Sequence, residues 1–165
     1  MNEAQRLVDL IPRLRRYARA LVSDRASADD LVQDTLERAW AKLHLYRRGT
    51  DLRAWLFTVM HNVHVNKVRS ARATDPLDDE MPELAQRAAQ GESLVVRDLD
   101  RAIARLPDEQ RAVLLLVTLE EMSYDQVARA LGIPIGTVMS RLSRAREKLR
   151  AMMLGQAAAK LKVVK

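Results

Sequence analysis

The side chains best placed for chemical contact lie near the C-terminus, where Thr137, Met139, Ser140, Arg141, Ser143, Arg144, Lys148 and Arg150 alternate with the apolar Val138, Leu142, Ala145 and Leu149. On one helix the apolar set is the buried side and the others point outward. Hydroxyls and guanidiniums near the start of such a helix can hydrogen-bond base edges, and basic groups farther along can hold phosphates. A solvated basic face would carry the same charges, so the preceding residues decide. Ser123 and Gln126 make an S-x-x-Q capping box, Val127, Ala128 and Leu131 face inward, Gly132 supplies a left-handed exit, and Pro134 restarts the helix. The small Ala128 lets the two helices pack closely. Together these describe a helix-turn-helix from Ser123 to Arg150, set against the major groove of duplex DNA.

A second basic stretch runs from Lys42 to Arg72, with Lys42, Arg47, Arg48, Arg53, Lys67, Arg69 and Arg72 against the single acid Asp51. Between the two lies an acidic segment. From Thr74 to Leu94 there are six acids and one Arg, a net charge of −5, which leaves +11 on the rest of a chain whose total is +6. Two basic regions flanking an acidic one indicate a polyanionic partner engaged at two places. His61 and His64 stand three apart and could share a metal, but no third ligand is placed by sequence. Surface or DNA-side histidines are the simpler reading.

These groups need helices to position them. Leu7, Ile11, Leu14, Ala18 and Leu21 recur at helical spacing. Ser27, with Asp30, is the expected cap of a second helix, whose buried stripe reads Val32, Leu36, Ala39, Trp40 and Leu43. Gly49 and Thr50 mark a turn before a third helix lined by Leu52, Trp55, Leu56, Val59, Met60 and Val63. Trp40 and Trp55 both fall on inward stripes. In the C-terminal half a helix covers about Leu94 to Arg105, and Pro107 opens another with Asp108 and Glu109 at its positive end. That helix is apolar on nearly every side from Val113 to Leu119, so it should be central. The expected fold is all-α: a three-helix N-terminal bundle over residues 1–73, an acidic linker over 74–94 with a short helix near Glu83 to Gln90, a helix-turn-helix domain over 95–155 and a basic tail over 156–165.

Composition limits the alternatives. With 165 residues, 48% hydrophobic, the chain can build packed cores, and 5 Gly, 5 Pro and 4% aromatic residues favour helix over sheet. Zero cysteines exclude disulfides, thiolate zinc sites and a cysteine nucleophile. No apolar run could span a bilayer and no signal-peptide core is present, so a soluble cytoplasmic protein without membrane insertion is expected. No phosphate loop or nucleophile elbow appears. The reading is a non-enzyme with no cofactor and no metal.

The run LPDEQRAVLLLVTLEEMSYDQVARALGIPIGTVMSRLSRAREKLR resembles region 4 of the bacterial extracytoplasmic-function (ECF) sigma factors of the sigma-70 family. ADDLVQDTLERAW and DLRAWLFTVMHNVHVNKVR resemble their region 2, in the same order and on the other side of a linker. The resemblance implies promoter-specific initiation by a subunit that binds core RNA polymerase, with region 2 on the −10 element, region 4 on the −35 element, and no homo-oligomer required. It places Asp30, Gln33, Asp34 and Glu37 on the β′ clamp helices and implies a further contact with the β flap. An acidic helix face alone reads by default as ordinary solvated surface, with a dock for a basic partner as the alternative. It places Tyr46, Arg47, Arg48, Arg53, Asn62, Lys67 and Arg69 on the −10 strand, with the Leu45–Asp51 loop capturing an unstacked base. It places Thr137, Met139, Ser140, Arg141, Ser143, Arg144 and Lys148 on the −35 duplex, and implies an anti-sigma factor as a further partner. Asn66 replaces a more usual aspartate and Met139 a more usual basic residue. A linker of about twenty residues reaches at most ~70 Å, comparable to two duplex turns. The resemblance lays it in polymerase's RNA channel, though a plain tether would look the same.

Two other readings use fewer of these features. A sigma-like decoy that sequesters an anti-sigma factor would need no DNA-reading surface and would accompany a receiver domain. A conventional helix-turn-helix repressor or activator leaves the ADDLVQDTLERAW block without a purpose.

Overall fold

The computed structural model describes residues 2–74 and 94–163, and among these every regular element is helical. The order is α1 (Glu3–Leu21), α2 (Arg25–Ala41), a 3-10 turn (Leu43–Leu45), α3 (Leu52–Thr74), α4 (Leu94–Ala104), α5 (Asp108–Thr118), α6 (Tyr124–Leu131) and α7 (Ile135–Val163). The acidic linker and the helix expected near Glu83 to Gln90 fall outside the described residues. Helix α7 continues to Val163, so the expected basic tail begins as helix.

In the N-terminal bundle Leu7, Leu14, Ala18 and Leu21 of α1 are buried as their spacing predicts, and Tyr17 joins them with its ring edge-on to Phe57 of α3 at 5.1 Å. Helix α2 departs from expectation at both ends. Asp24, not Ser27, is the N-cap, accepting from the Ser27 backbone N–H at 2.9 Å and from its hydroxyl at 2.7 Å. Its inward face is Ala28, Leu31, Val32, Thr35 and Ala39, which leaves Trp40 63% exposed. Thr35 can occupy the core because its hydroxyl donates to the Leu31 carbonyl at 2.7 Å, satisfying within the helix a polar group that burial would otherwise penalise. Trp55 is half-buried as expected, 5.5 Å from the Tyr46 ring.

The C-terminal half is built around α5, whose Ala112 to Leu116 are all buried. Ser123 and Gln126 complete both halves of their capping box at the start of α6. Gly132 exits at φ 65°, ψ 39°, a region that costs a residue with a Cβ about 1–2 kcal/mol. Val138, Leu142 and Ala145 then anchor α7 in the core.

The two halves pack on one another, α1 against α4 and α5, and α3 against α6. Arg111 joins them. Its guanidinium donates to the carbonyls of Ile103, Ala104 and Leu106 at 3.0, 2.8 and 2.6 Å, and across the junction to that of Leu21 at 2.9 Å. One charge thus caps the C-terminal ends of α4 and α1 together, where helix dipoles favour a cation. Arg111→Met should cost about 3–5 kcal/mol of unfolding free energy, because four oriented carbonyls lose their donor and Asp108 loses a charge partner. Urea denaturation at neutral pH checks the size of this loss.

Candidate DNA and polymerase interfaces

On α7 the side chains of Met139, Ser140, Ser143, Arg144 and Lys148 are exposed and Thr137 is half-buried, all on the face away from Val138, Leu142 and Ala145. The Thr137 and Val138 backbone N–H groups donate to the Pro134 carbonyl, so the helix starts immediately after the turn. The Ser140 hydroxyl donates to the Thr137 carbonyl at 3.1 Å. Arg141 is half-buried, its guanidinium 3.5 Å from the Glu109 carboxylate. That pairing was not anticipated, because the partners lie on different helices.

The Leu45–Asp51 loop is tightly organised. Gly49 turns it at φ 89°, the Thr50 hydroxyl donates to the Arg47 carbonyl at 2.7 Å, and the Tyr46 hydroxyl donates to the Thr50 carbonyl at 2.5 Å. Tyr46, expected on the single strand, is instead 7% exposed with its ring against Trp55, so here it shapes the loop rather than offering a stacking face. Arg47 and Arg48 project outward, Arg48 at 3.2 Å from Glu3. Asp51 caps α3 through the Ala54 N–H and receives the Gln126 side-chain amide at 3.0 Å, tying this loop to the helix-turn-helix.

Along α3, Asn62 and Arg69 are exposed, whereas Arg53 donates to the Glu120 backbone carbonyl at 2.8 Å across the junction. Lys67 bridges to α2, 2.7 Å from Asp30 and 2.5 Å from Asp34. The hydrogen bonds it donates to Asp30 and then to Asp34 hold its ammonium above the ordinary lysine range. One cation expected on DNA and two acids expected on polymerase therefore form a single cross-helix triad. Lys67 and Asp34 border an open groove lined also by Glu37, Arg38, Lys42 and Asn66. Gln33 and Glu37 lie exposed on the same helix, 3.4 Å apart.

His61 and His64 have different surroundings. Among the described residues no cluster of three potential ligands occurs. His64, read as a surface group, is buried and its Nε2 lies 2.8 Å from Asp108 of the other half. Burial works to raise the Asp108 carboxyl, but His64, Arg111 and His61 together outweigh it and hold that carboxyl below its ordinary range. Burial, with His64 and Arg141 adding to it against Asp108, keeps the His61 ring below its usual value near 6.5. Asp108 and Glu109 read from sequence as helix-dipole partners, and the sequence carried no sign of where each would reach. Among the described residues, no helix is long and apolar enough to cross a membrane.

Comparison with known proteins agrees with this geometry. Residues 7–61 match the family described as the Sigma2 domain of PhyR, and residues 97–149 match Sigma-70, region 4. The chain is 36% identical over 145 residues to the ECF RNA polymerase sigma factor EcfG of Rhodopseudomonas palustris, covering 87% of this chain and 80% of that one. It is 38% identical over 144 residues to the ECF sigma factor SigM of Mycobacterium tuberculosis, covering 86% and 71%. The sigma factor RpoE from Bartonella quintana, solved in complex with the anti-sigma factor NepR, superposes with a TM-score of 0.81 and 36% identity over 91% of this chain and 95% of that one.

The depressed His61 value has a measurable consequence. Between the folded value and 6.5 the unfolded chain binds the extra proton, so the contribution of His61 is full above pH 6.5 and is lost as pH falls through the folded value. Urea midpoints measured from pH 7.5 down to about 5 should decline, and His61→Gln should flatten that decline.

Proposed function

The chain belongs to the ECF sigma factors of bacterial RNA polymerase, and we propose that it acts on promoters through the three surfaces described above. It binds core polymerase and directs promoter-specific initiation, leaving the chemistry of RNA synthesis to polymerase. The supporting observation is the α6–α7 geometry: a complete capping box, a left-handed Gly132 and an exposed Ser140, Ser143, Arg144 and Lys148 face anchored by three buried residues.

In this reading Thr137, Met139, Ser140, Arg141, Ser143, Arg144 and Lys148 meet the −35 duplex. Arg47, Arg48, Arg53, Asn62, Lys67 and Arg69 meet the −10 strand, with Tyr46 holding the loop that presents Arg47 and Arg48. Asp30, Gln33, Asp34 and Glu37 dock on the β′ clamp helices, and region 4 meets the β flap. The protein works in the cytoplasm, where promoters and polymerase are. An anti-sigma factor restrains it, as the RpoE likeness suggests, since that sigma factor was solved bound to one.

In vitro transcription with purified core polymerase and a library of genomic promoters tests the whole reading. Promoter-specific transcripts are expected; their absence, with no core binding on a native gel, is the result expected of a decoy and would sink the proposal. Arg144→Ala should weaken binding to the selected promoter by about 1–3 kcal/mol while leaving random duplex little changed, the pattern of base reading. Asp34→Lys should weaken core binding at least about ten-fold, because it reverses charge on a face that meets a basic partner.

A further inference from the structure

Glu120 is a charged side chain in an unusual position. It follows the Leu119 C-cap of α5, its side chain is 0% exposed, and the chain turns away from it through Glu121 at φ 53°. Three arginines of the N-terminal half converge on it. Arg16 and Arg13 of α1 bring guanidinium nitrogens to 3.6 and 3.8 Å from its carboxylate oxygens. Arg53 of α3 donates to its backbone carbonyl, and Arg16 donates to that of Leu119 at 3.1 Å.

We propose that Arg13, Arg16 and Arg53 form a phosphate site for the DNA backbone, and that Glu120 occupies it in the closed chain as an intramolecular stand-in for that phosphate. The inference rests on the promoter-binding reading and adds to it two arginines of α1 and a competition.

The fit favours phosphate over carboxylate. Three positive charges face one negative charge, and the carboxylate oxygens lie beyond the 2.7–2.9 Å of a close guanidinium pair. A tetrahedral phosphate, larger and with more acceptor oxygens, fills such a site better, and planar guanidiniums recognise it bidentately. Glu120 is also poorly accommodated: burial raises its carboxyl pKa even though Arg13, Arg16 and Arg53 pull it down. Arg13 and Arg16 keep side chains 50% and 56% exposed, so a strand can reach them from solvent. Arg53 already belongs to the basic Lys42–Arg72 stretch, and the α1 arginines extend that footprint onto a neighbouring helix. DNA binding and closure then draw on the same three guanidiniums, so DNA opens the chain.

The test uses the full chain and a fluorescent single-stranded oligo(dT) of about 20 nucleotides. Arg13→Ala with Arg16→Ala should weaken binding about ten-fold and lower the slope of log affinity against log salt by about 1.4, or about 0.7 per lost contact. The charge-matched control Arg15→Ala with Arg19→Ala, on exposed positions of the same helix, should change affinity less than about two-fold. Glu120→Ala should tighten binding several-fold by removing the competitor. If it fails to fold, Glu120→Gln drops the charge and keeps the shape.

Because the chain has no cysteine, Arg25→Cys and Glu147→Cys can carry a unique pair of spin labels on exposed positions of the two halves. Their separation should increase when oligo(dT) is added. Equal effects of the two arginine pairs, no gain on removing the Glu120 charge, or tight binding with an unchanged label distance would each overturn the inference. So would a loss of core polymerase affinity in Arg13→Ala with Arg16→Ala while oligo(dT) binding is intact, which would assign the arginines to polymerase. Failure of the unsubstituted chain to bind DNA would strike at the promoter reading instead.

Discussion

Arg111 has to satisfy a buried guanidinium, and it does so with four carbonyl oxygens from the ends of two helices that belong to different halves of the chain. Much of the junction follows from that. The α4 and α1 C-termini are brought to one point, and the first turn of α5 lies beside them with Asp108 3.7 Å from the same guanidinium. Asp108 in turn receives His64, which fixes where α3 meets α5. A line of polar contacts, Leu21 carbonyl to Arg111 to Asp108 to His64, therefore sets how the three-helix bundle sits against the helix-turn-helix domain.

The junction adds polar contacts to an apolar core that is continuous across both halves. Within each half the buried side chains are nearly all apolar, as Leu14, Leu56 and Met60 are in one and Val113, Leu116 and Val138 in the other. The polar contacts between the halves include Arg111 to Leu21, Arg13 and Arg16 to the Glu120 carboxylate, Arg16 to the Leu119 carbonyl, Arg53 to the Glu120 carbonyl, His64 to Asp108 and Gln126 to Asp51. Buried ion pairs and charged hydrogen bonds add little net stability, because desolvation offsets most of the attraction, but they fix a geometry. When such groups separate they are rehydrated, whereas separated apolar faces expose surface that costs about 25 cal/mol per Å².

What could be read from the sequence was local. The Ser123–Gln126 box, the Gly132 exit and the α7 anchors each depend on residues within a few positions, and each stands where spacing put it. Errors arose where a side chain could satisfy itself in a way that residue type does not reveal. Thr35 is not among the residues of the expected α2 stripe, yet it is buried with its hydroxyl satisfied by the Leu31 carbonyl, and Trp40, which is on that stripe, faces solvent. Tyr46 looked free to stack because its neighbours are arginines, but a loop closed at Gly49 gave its hydroxyl a partner at Thr50. The junction was invisible for a different reason. Arg16 and Leu119 are 103 positions apart, and Gln126 and Asp51 are 75 apart, so no periodicity connects them.

A common logic links the two DNA-facing regions. Arg141 on α7 is held by Glu109, Arg53 on α3 by the Glu120 carbonyl, and Lys67 by Asp30 and Asp34. In each place a cation suited to a phosphate or a base already has an oxygen partner in the free chain. In the proposed reading DNA displaces that partner, so the gain on any one contact is the difference between two pairings rather than the full attraction of a bare cation. A random duplex that offers only phosphates recovers little of that difference, whereas a site that also supplies base contacts recovers more. Internal pairing of this kind lowers affinity everywhere but lowers non-specific affinity proportionally more. A basic protein of net charge +6 that must search a genome for a few promoters gains discrimination from it.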